Sequence, residues 1–415
     1  MKKIWIFDHY SSEPKYGGYT RQYNIAQHLS QLGYDVTVFA STFAHHTHKF
    51  ISSEDFFVSE LDEHSRYYYF RTVGYSNNQT PKRFIGMVQY AQYLTRNYRR
   101  LSKQFGRPDF VIGSCPHSFA WVAARNVARQ AGAKFVAEVR DFWPLELKME
   151  GDDFLHNAFY SILQRIEDDS FNKSDLVFFT MPYGSKYICE EKSIDPQKVI
   201  WIGQPINCSN YDKLANSGQL PTDISSFIEG KFICTFAGYY TTYEGVYKML
   251  EAAKEILNYN RKIVFVFCGS GKEDDGMRKY VEDNHLTNVL ISKRIDKELV
   301  PTLLRHSNIC LSYVEDHSGN EAYRFGLSLN KLNEYLYSGA VTILGYDYPG
   351  NQVEDSKGGF VFNTSKNKFA ELIKSIYEMS SDDRKEIGEN GKRYILDNHD
   401  VNVIAKKYLT ALEEL

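Results

Sequence analysis

Ile4-Trp5-Ile6-Phe7, then Gly17-Gly18, then Asp35-Val36-Thr37-Val38-Phe39-Ala40 is the stretch on which the fold turns. Two apolar runs of strand length flank a helical segment from about Tyr19 to Leu32, which Gly33 stops. The same rhythm continues through Phe110-Val111-Ile112, Lys134-Phe135-Val136-Ala137 and Leu176-Val177-Phe178-Phe179. Strands separated by enough chain for a crossover helix predict a parallel sheet covered on both faces. The polar stretch from Pro205 through Cys208 to Thr222 reads as a linker. The pattern then restarts at residues 232–236, 262–267, 288–291, 309–313 and 340–344. Helices are expected at about 244–258, 274–284, 296–306, 330–338 and 366–379. The predicted fold class is α/β, with two Rossmann-like domains facing across a cleft. The expected boundaries are 1–205 and 206–395, with a C-terminal helix over 396–415 packing back toward the first domain.

The 415 residues exceed what one core usually serves, and 43% hydrophobic with 24% charged residues describes an ordinary globular chain. A net charge of −3 gives no global pull toward nucleic acid. The six cysteines are scattered without a Cys-x-x-Cys pair, the usage of reduced thiols in a cytosolic protein. The first apolar run stops at Asp8, too early for a signal core, and no run of about 18 apolar residues would span a bilayer.

The most specific chemistry lies in Tyr323-Arg324-Phe325-Gly326-Leu327-Ser328-Leu329-Asn330-Lys331-Leu332-Asn333-Glu334-Tyr335, ahead of Ser338-Gly339 and a strand. A polar loop here feeds a helix N-terminus, where backbone N–H groups favour an anion. Ser328 and Asn330 are placed to cap that helix, and Lys331 adds a positive charge. Glu334 lies about one turn further on, where a carboxylate can accept two ribose hydroxyls. This is a coherent arrangement for a nucleoside diphosphate.

At this point the chain resembles family 4 of the retaining glycosyltransferases, which have the GT-B fold. It is most similar to bacterial enzymes that add N-acetylated sugars, such as N-acetylfucosamine, to O-antigen or capsule repeat units. Their Ser-Pro-(Asn/Thr)-Lys-Leu-x-(Glu/Asp)-Tyr segment stands here as Ser328 to Tyr335. The resemblance also takes in Gly17-Gly18-Tyr19-Thr20-Arg21, Ser114-Cys115-Pro116-His117 and Glu138-Val139-Arg140-Asp141-Phe142-Trp143-Pro144. Gly269-Ser270-Gly271 and Lys297-Glu298-Leu299-Val300-Pro301 match as well, although a lone Gly-x-Gly fits any Rossmann unit.

The resemblance implies that Arg21 faces the donor phosphates, with Gly17, Gly18 and Thr20 on the same phosphate and acceptor side. It implies that His117 contacts the transferred sugar, and that Asp141 or Glu138 contacts acceptor or donor; His117 and Asp141 are therefore the catalytic candidates. A structural turn at Gly17-Gly18, a structural His117, and an Arg140–Glu138 ion pair that only fixes the loop are the competing readings. Two departures stand out. Gly326 replaces an acid eight residues before Glu334, and the loop Gly238 to Gly245 carries one acid, Glu244, and no base. Diphosphate charge then falls on Lys331, Arg324, Arg21 and the helix tip, with Gly238 nearby. The absence of Asp-x-Asp agrees with metal-independent chemistry needing no cofactor beyond a UDP-sugar co-substrate. His45-His46-Thr47-His48 reads as a solvated loop.

From Pro81 to Pro108 there is no acid, while Lys82, Arg83, Arg96, Arg99, Arg100, Lys103 and Arg107 are basic. Phe84, Val88, Ala91, Leu94, Tyr98, Leu101 and Phe105 recur at helical spacing. A basic amphipathic helix suits an anionic membrane surface, although packing on its own sheet explains the stripe equally well. The expected function is transfer of a sugar from UDP to a polyprenyl-diphosphate-linked saccharide, by a cytoplasmic protein peripheral to the inner membrane face and without nucleic acid. A UDP-sugar epimerase and a silent partner subunit are the alternatives.

Overall fold

The computed structural model describes residues 1–18, 20–77, 80–115, 117–147, 154–292, 295–315 and 321–415. Tyr19 and Pro116, quoted in two motifs above, lie outside the described residues. The chain divides into two compact units, Met1–Gly203 with Val401–Leu415, and Gln204–Asp400.

The first unit carries an eight-stranded sheet among its described residues. Its order is Val199–Trp201, Leu176–Phe179, Lys134–Val139, Phe110–Ser114, Lys3–Phe7, Asp35–Ser41, Ser65–Phe70 and Phe56–Glu60. All neighbours are parallel except the last pair. Alternation of side chains splits the central strands between two covers. Ile4, Ile6, Val36 and Val38 pack with Ile25 and Leu29 of the helix Arg21–Gln31 and with Ile404 and Tyr408 of the helix Val401–Glu413. Trp5 and Phe39 turn the other way, onto Tyr98 and Phe105 of the helix Pro81–Phe105. Both faces are therefore buried, which is why these strands read as unbroken apolar runs.

That packing accounts for most of the apolar stripe over 81–105. Ala91, Leu94, Tyr98, Leu101 and Phe105 face the core, whereas Phe84 and Ile85 are exposed near the helix start. Lys82, Arg96, Arg99 and Lys103 are exposed as well. Two of the expected membrane cations are otherwise engaged. Arg100 donates to the hydroxyls of Tyr68 and Tyr93, and half-buried Arg83 lies against Tyr10. Among the described residues no helix is long and apolar enough to cross a membrane.

The second unit holds a six-stranded, wholly parallel sheet among its described residues. Its order is Val289–Ser292, Ile263–Gly271, Phe232–Tyr240, Ile309–Tyr313, Val341–Gly345 and Gly359–Phe362. Phe265, Phe267 and Ile343 pack on Met249, Leu250 and Ile256 of the helix Val246–Tyr259. On the opposite face Val264 and Val266 meet Ile224, Ile228 and Leu303. The supposed linker is largely ordered. Cys208–Ser217 is a helix, capped by Asn207 and packed through Tyr211 on Tyr337. Its polar composition misled because Asp212 accepts hydrogen bonds from Arg305 and Tyr337 rather than facing only water. The terminal helix expected over 396–415 spans Val401–Glu413, after a separate helix Ser381–Asn398.

Gly113 marks a close strand–helix approach in the first unit. A Cβ there would stand 2.9 Å from the Ala124 methyl and 3.0 Å from the Ala120 carbonyl oxygen. Gly113→Ala is expected to destabilise the protein by about 1–3 kcal/mol through overpacking, read as a lower urea midpoint with unchanged m-value.

Candidate active site

In the first unit the motif residues sit at or just beyond the carboxyl ends of the strands, Glu138 inside one and Arg21 at a helix start, where their charges pair with one another. Arg21 and Glu138 are both buried. Arg21 Nη2 and Nε reach Glu138 Oε1 at 2.8 and 3.1 Å, and Nη1 donates to the Gly203 carbonyl. Gln22 and Tyr408 also donate to the Glu138 carboxylate. Burial works to raise the Glu138 pKa, yet Arg21, with the hydroxyls of Ser114 and Tyr408, holds it down at about 2. Arg21 is thus consumed inside the fold instead of offering its guanidinium to a donor phosphate. The ion pairs also differ from the one expected. Glu138 takes Arg21, while Arg140 Nη1 donates to buried Asp8 at 2.6 Å. Burial, opposed by Arg140 and reinforced by Glu138, pushes Asp8 up to about 6.

His117 is fully buried, and its Nε2 lies 2.8 Å from His9 Nδ1. His9 Nε2 continues to Thr72 Oγ1, and Thr72 to Ser41. Burial, then the nearby Arg83 and His45, push His117 down to about 3. Two neutral imidazoles therefore share one proton across the 2.8 Å contact. With no exposed surface, His117 presents nothing to a sugar in this conformation. His45 is likewise no solvated loop residue: it stacks on Tyr10 at 4.3 Å and hydrogen-bonds Tyr75. Gly17 and Gly18 have φ of 73° and 81°, and a Cβ on Gly18 would meet the His46 ring at 2.5 Å. Their missing side chains make room for His46. Thr20 precedes the helix Arg21–Gln31 without a side-chain cap bond. Asp141 emerges exposed after the strand Lys134–Val139.

In the second unit the helix Asn330–Ser338 forms as expected, but neither predicted cap operates. Leu329 occupies the N-cap position with no side-chain bond, and the buried Ser328 Oγ has no partner among the described residues. Asn330 Oδ1 instead accepts from Gln204 Nε2. Tyr335 anchors the helix to the strand Phe232–Tyr240, accepting from Ala237 N at 2.8 Å and donating to Ala237 O at 2.9 Å. Lys331 pairs with Glu244, and its ammonium lies 5.2 Å from the Phe236 ring centroid, close to Gly238. Glu334 is half-buried, and its carboxylate makes no hydrogen bond or salt bridge among the described residues. Burial raises its pKa, with Lys297 partly offsetting the rise. Arg324 is exposed on the turn Glu321–Phe325, over the Phe325 ring.

Two family models match this chain. One, described as Glycosyltransferase Family 4, covers residues 17–210, and one, described as Glycosyl transferases group 1, covers residues 222–394. The chain is a family 4 glycosyltransferase. No curated protein matches its sequence. Solved structures share the GT-B fold over the full length. Sucrose-phosphate synthase from Thermosynechococcus elongatus has a TM-score of 0.72 at 13% identity, covering 100% of this chain and 99% of its own. The E. coli structure described as trehalose-6-phosphate bound with UDP-2-fluoro glucose has 0.72 at 11%, with coverage of 100% and 99%. Anabaena HepE in complex with UDP and glucose has 0.64 at 14%, covering 100% of both chains.

The glycosyltransferase is a retaining enzyme that uses a nucleotide sugar. Reading its sequence alone overlooked Asp8, His9 and Tyr408. Asp8-His9-Tyr10 at the end of the first strand was a signal in plain view, because polar residues at a strand's carboxyl end border the site in such sheets. Tyr408 carried no signal, being an aromatic at helical spacing like any core residue. Glu138→Gln leaves the Arg21 cation buried without its countercharge and is expected to cost about 3–5 kcal/mol at pH 7 in urea unfolding. The depressed Glu138 pKa makes its contribution complete above about 4.5, so the gap between wild type and variant narrows as pH falls toward about 2.

Proposed function

We propose that this glycosyltransferase moves a sugar, an N-acetylated hexose, from UDP to a hydroxyl of a polyprenyl-diphosphate-linked saccharide in bacterial surface polysaccharide synthesis. The observation that carries the reading is Glu334, a half-buried carboxylate with no hydrogen-bond or salt-bridge partner among the described residues, roughly one turn beyond an uncapped helix tip. A desolvated acid without a partner is costly unless a ligand supplies donors, and ribose hydroxyls are such donors. Uncapped N–H groups, Lys331 and Arg324 suit the diphosphate. Two of the fold relatives were solved with UDP or a UDP-sugar, which supports the choice of nucleotide.

In the proposed step the bond from the anomeric carbon to the phosphate oxygen breaks, and its electron pair leaves with UDP. The acceptor oxygen bonds the same face of that carbon, and its proton passes to the departing phosphate oxygen. No side-chain base and no metal is required, and the helix dipole with Lys331 stabilises the charge that develops. The loop after the first unit's Lys134–Val139 strand, with exposed Asp141, is the proposed acceptor side. Buried His117 acts there through its neighbour His9. The exposed Lys82, Arg96, Arg99 and Lys103, with Phe84 and Ile85 near the helix start, would rest on the anionic inner face of the membrane.

Titration calorimetry tests the donor reading. UDP should bind the wild type, and Glu334→Ala should weaken it about 10- to 100-fold by removing charged hydrogen bonds; equal affinities would remove Glu334 from the ribose. Arg96→Glu with Arg99→Glu should abolish sedimentation with phosphatidylserine vesicles while leaving UDP affinity intact.

A further inference from the structure

Lys331, the cation assigned to the diphosphate, is already neutralised by its own chain. Glu244 pairs with it, and both side chains are largely covered, 14% and 26% exposed. Glu244 is held where it can do this. It closes the short turn Thr242–Glu244, and its backbone N–H donates to Thr241 Oγ1 at 3.3 Å. Gly245 follows at φ 65°, seated so close to Tyr313 that a Cβ would lie 2.5 Å from the ring. A turn pinned at both ends delivers its carboxylate to one place. Lys331 is equally constrained, from the first turn of the helix Asn330–Ser338 and against the Phe236 ring. Between Gly238 and Gly245 the chain carries no other charge. An anion arriving beside Gly238 therefore meets a carboxylate–ammonium dipole in place of a free cation.

We propose that Glu244 is the residue the donor's diphosphate displaces from Lys331, and that it thereby lowers donor affinity and narrows the preference for diphosphate over uncharged nucleosides. This rests on the reading of the Asn330 helix tip as the diphosphate site. Binding exchanges one anion for another on the same ammonium, and the displaced carboxylate turns toward water. The cost of opening the pair is subtracted from the affinity, as for any ligand whose competent state is a minor one. Glu244 also repels a second anion nearby, so weakly charged ligands bind without the penalty that UDP carries.

Calorimetry with UDP and with uridine, on wild type, Glu244→Gln, Glu244→Ala, Lys331→Ala and the Lys331→Ala/Glu244→Gln double variant, tests this. Glu244→Gln keeps the size and polarity of the side chain and should tighten UDP about ten-fold while leaving uridine unchanged. Glu244→Ala should tighten UDP in the same direction, so a packing effect of one substitution is not mistaken for charge. Lys331→Ala should weaken UDP, and the gain from Glu244→Gln should vanish in the double variant, since the competition needs the lysine. Wild-type binding of UDP with no tightening in either Glu244 variant overturns the role of Glu244 and leaves the site standing. Binding of neither UDP nor uridine by the wild type overturns the site, and Glu244 with it.

Discussion

A parallel sheet hydrogen-bonds its strands in one direction only, so every return of the chain must cross a face, and both faces end up covered by helices. That constraint shapes each unit of this glycosyltransferase. Ile4, Ile6, Val36 and Val38 look one way and Trp5 and Phe39 the other, and neither set can meet water. The crossovers also bring the carboxyl ends of all the parallel strands to the same edge of their sheet, the antiparallel edge strand Phe56–Glu60 excepted. Polar residues barred from the faces collect there: Asp8, His9, Glu138 and Arg140 in one unit, and the Gly238 to Glu244 turn in the other.

The two units then treat their charges differently. In the first, the buried charges at the motif residues are matched from within, Arg21 to Glu138 and Arg140 to Asp8, and the neutral imidazole of His117 hydrogen-bonds that of His9. Such a network is rigid, because each group left alone would carry the full penalty of desolvation. In the second, Lys331 is matched by a carboxylate on a turn, while Glu334 carries its charge with no hydrogen-bond partner. The asymmetry separates a scaffold that holds loops in position from the helix tip at which donor binding is proposed. Residues such as Arg21, with which the motif seemed to address a ligand directly, serve the scaffold.

What could be read from the chain itself followed from periodicity and local stereochemistry. The runs at Ile4–Phe7, Asp35–Ala40, Phe110–Ile112 and Ile309–Tyr313 are strands because short, largely apolar segments of that length bury both faces between two helical layers. The helix at Asn330 and its stop at Gly339, with φ of 85°, were equally legible. Legibility failed where polar residues serve packing. The 208–217 segment looked like a linker but is a helix whose polar side chains find partners on Arg305 and Tyr337. The Gly359–Phe362 edge strand escaped notice because Gly358-Gly359 leaves it only three apolar residues, Phe360, Val361 and Phe362.

By itself, then, the sequence determined the α/β architecture, the repetition of the parallel unit and the motif that places a lysine and an acid on one helix. These depend on neighbours in the chain, and local spacing encodes them. Only the tertiary structure decided which charges are spent and which are kept. Arg21 and Glu138 are 117 residues apart, Lys331 and Glu244 are 87 apart, and Tyr408 reaches Glu138 across 270. A charge's availability depends on the groups that surround it in space, and no periodicity along the chain carries that information.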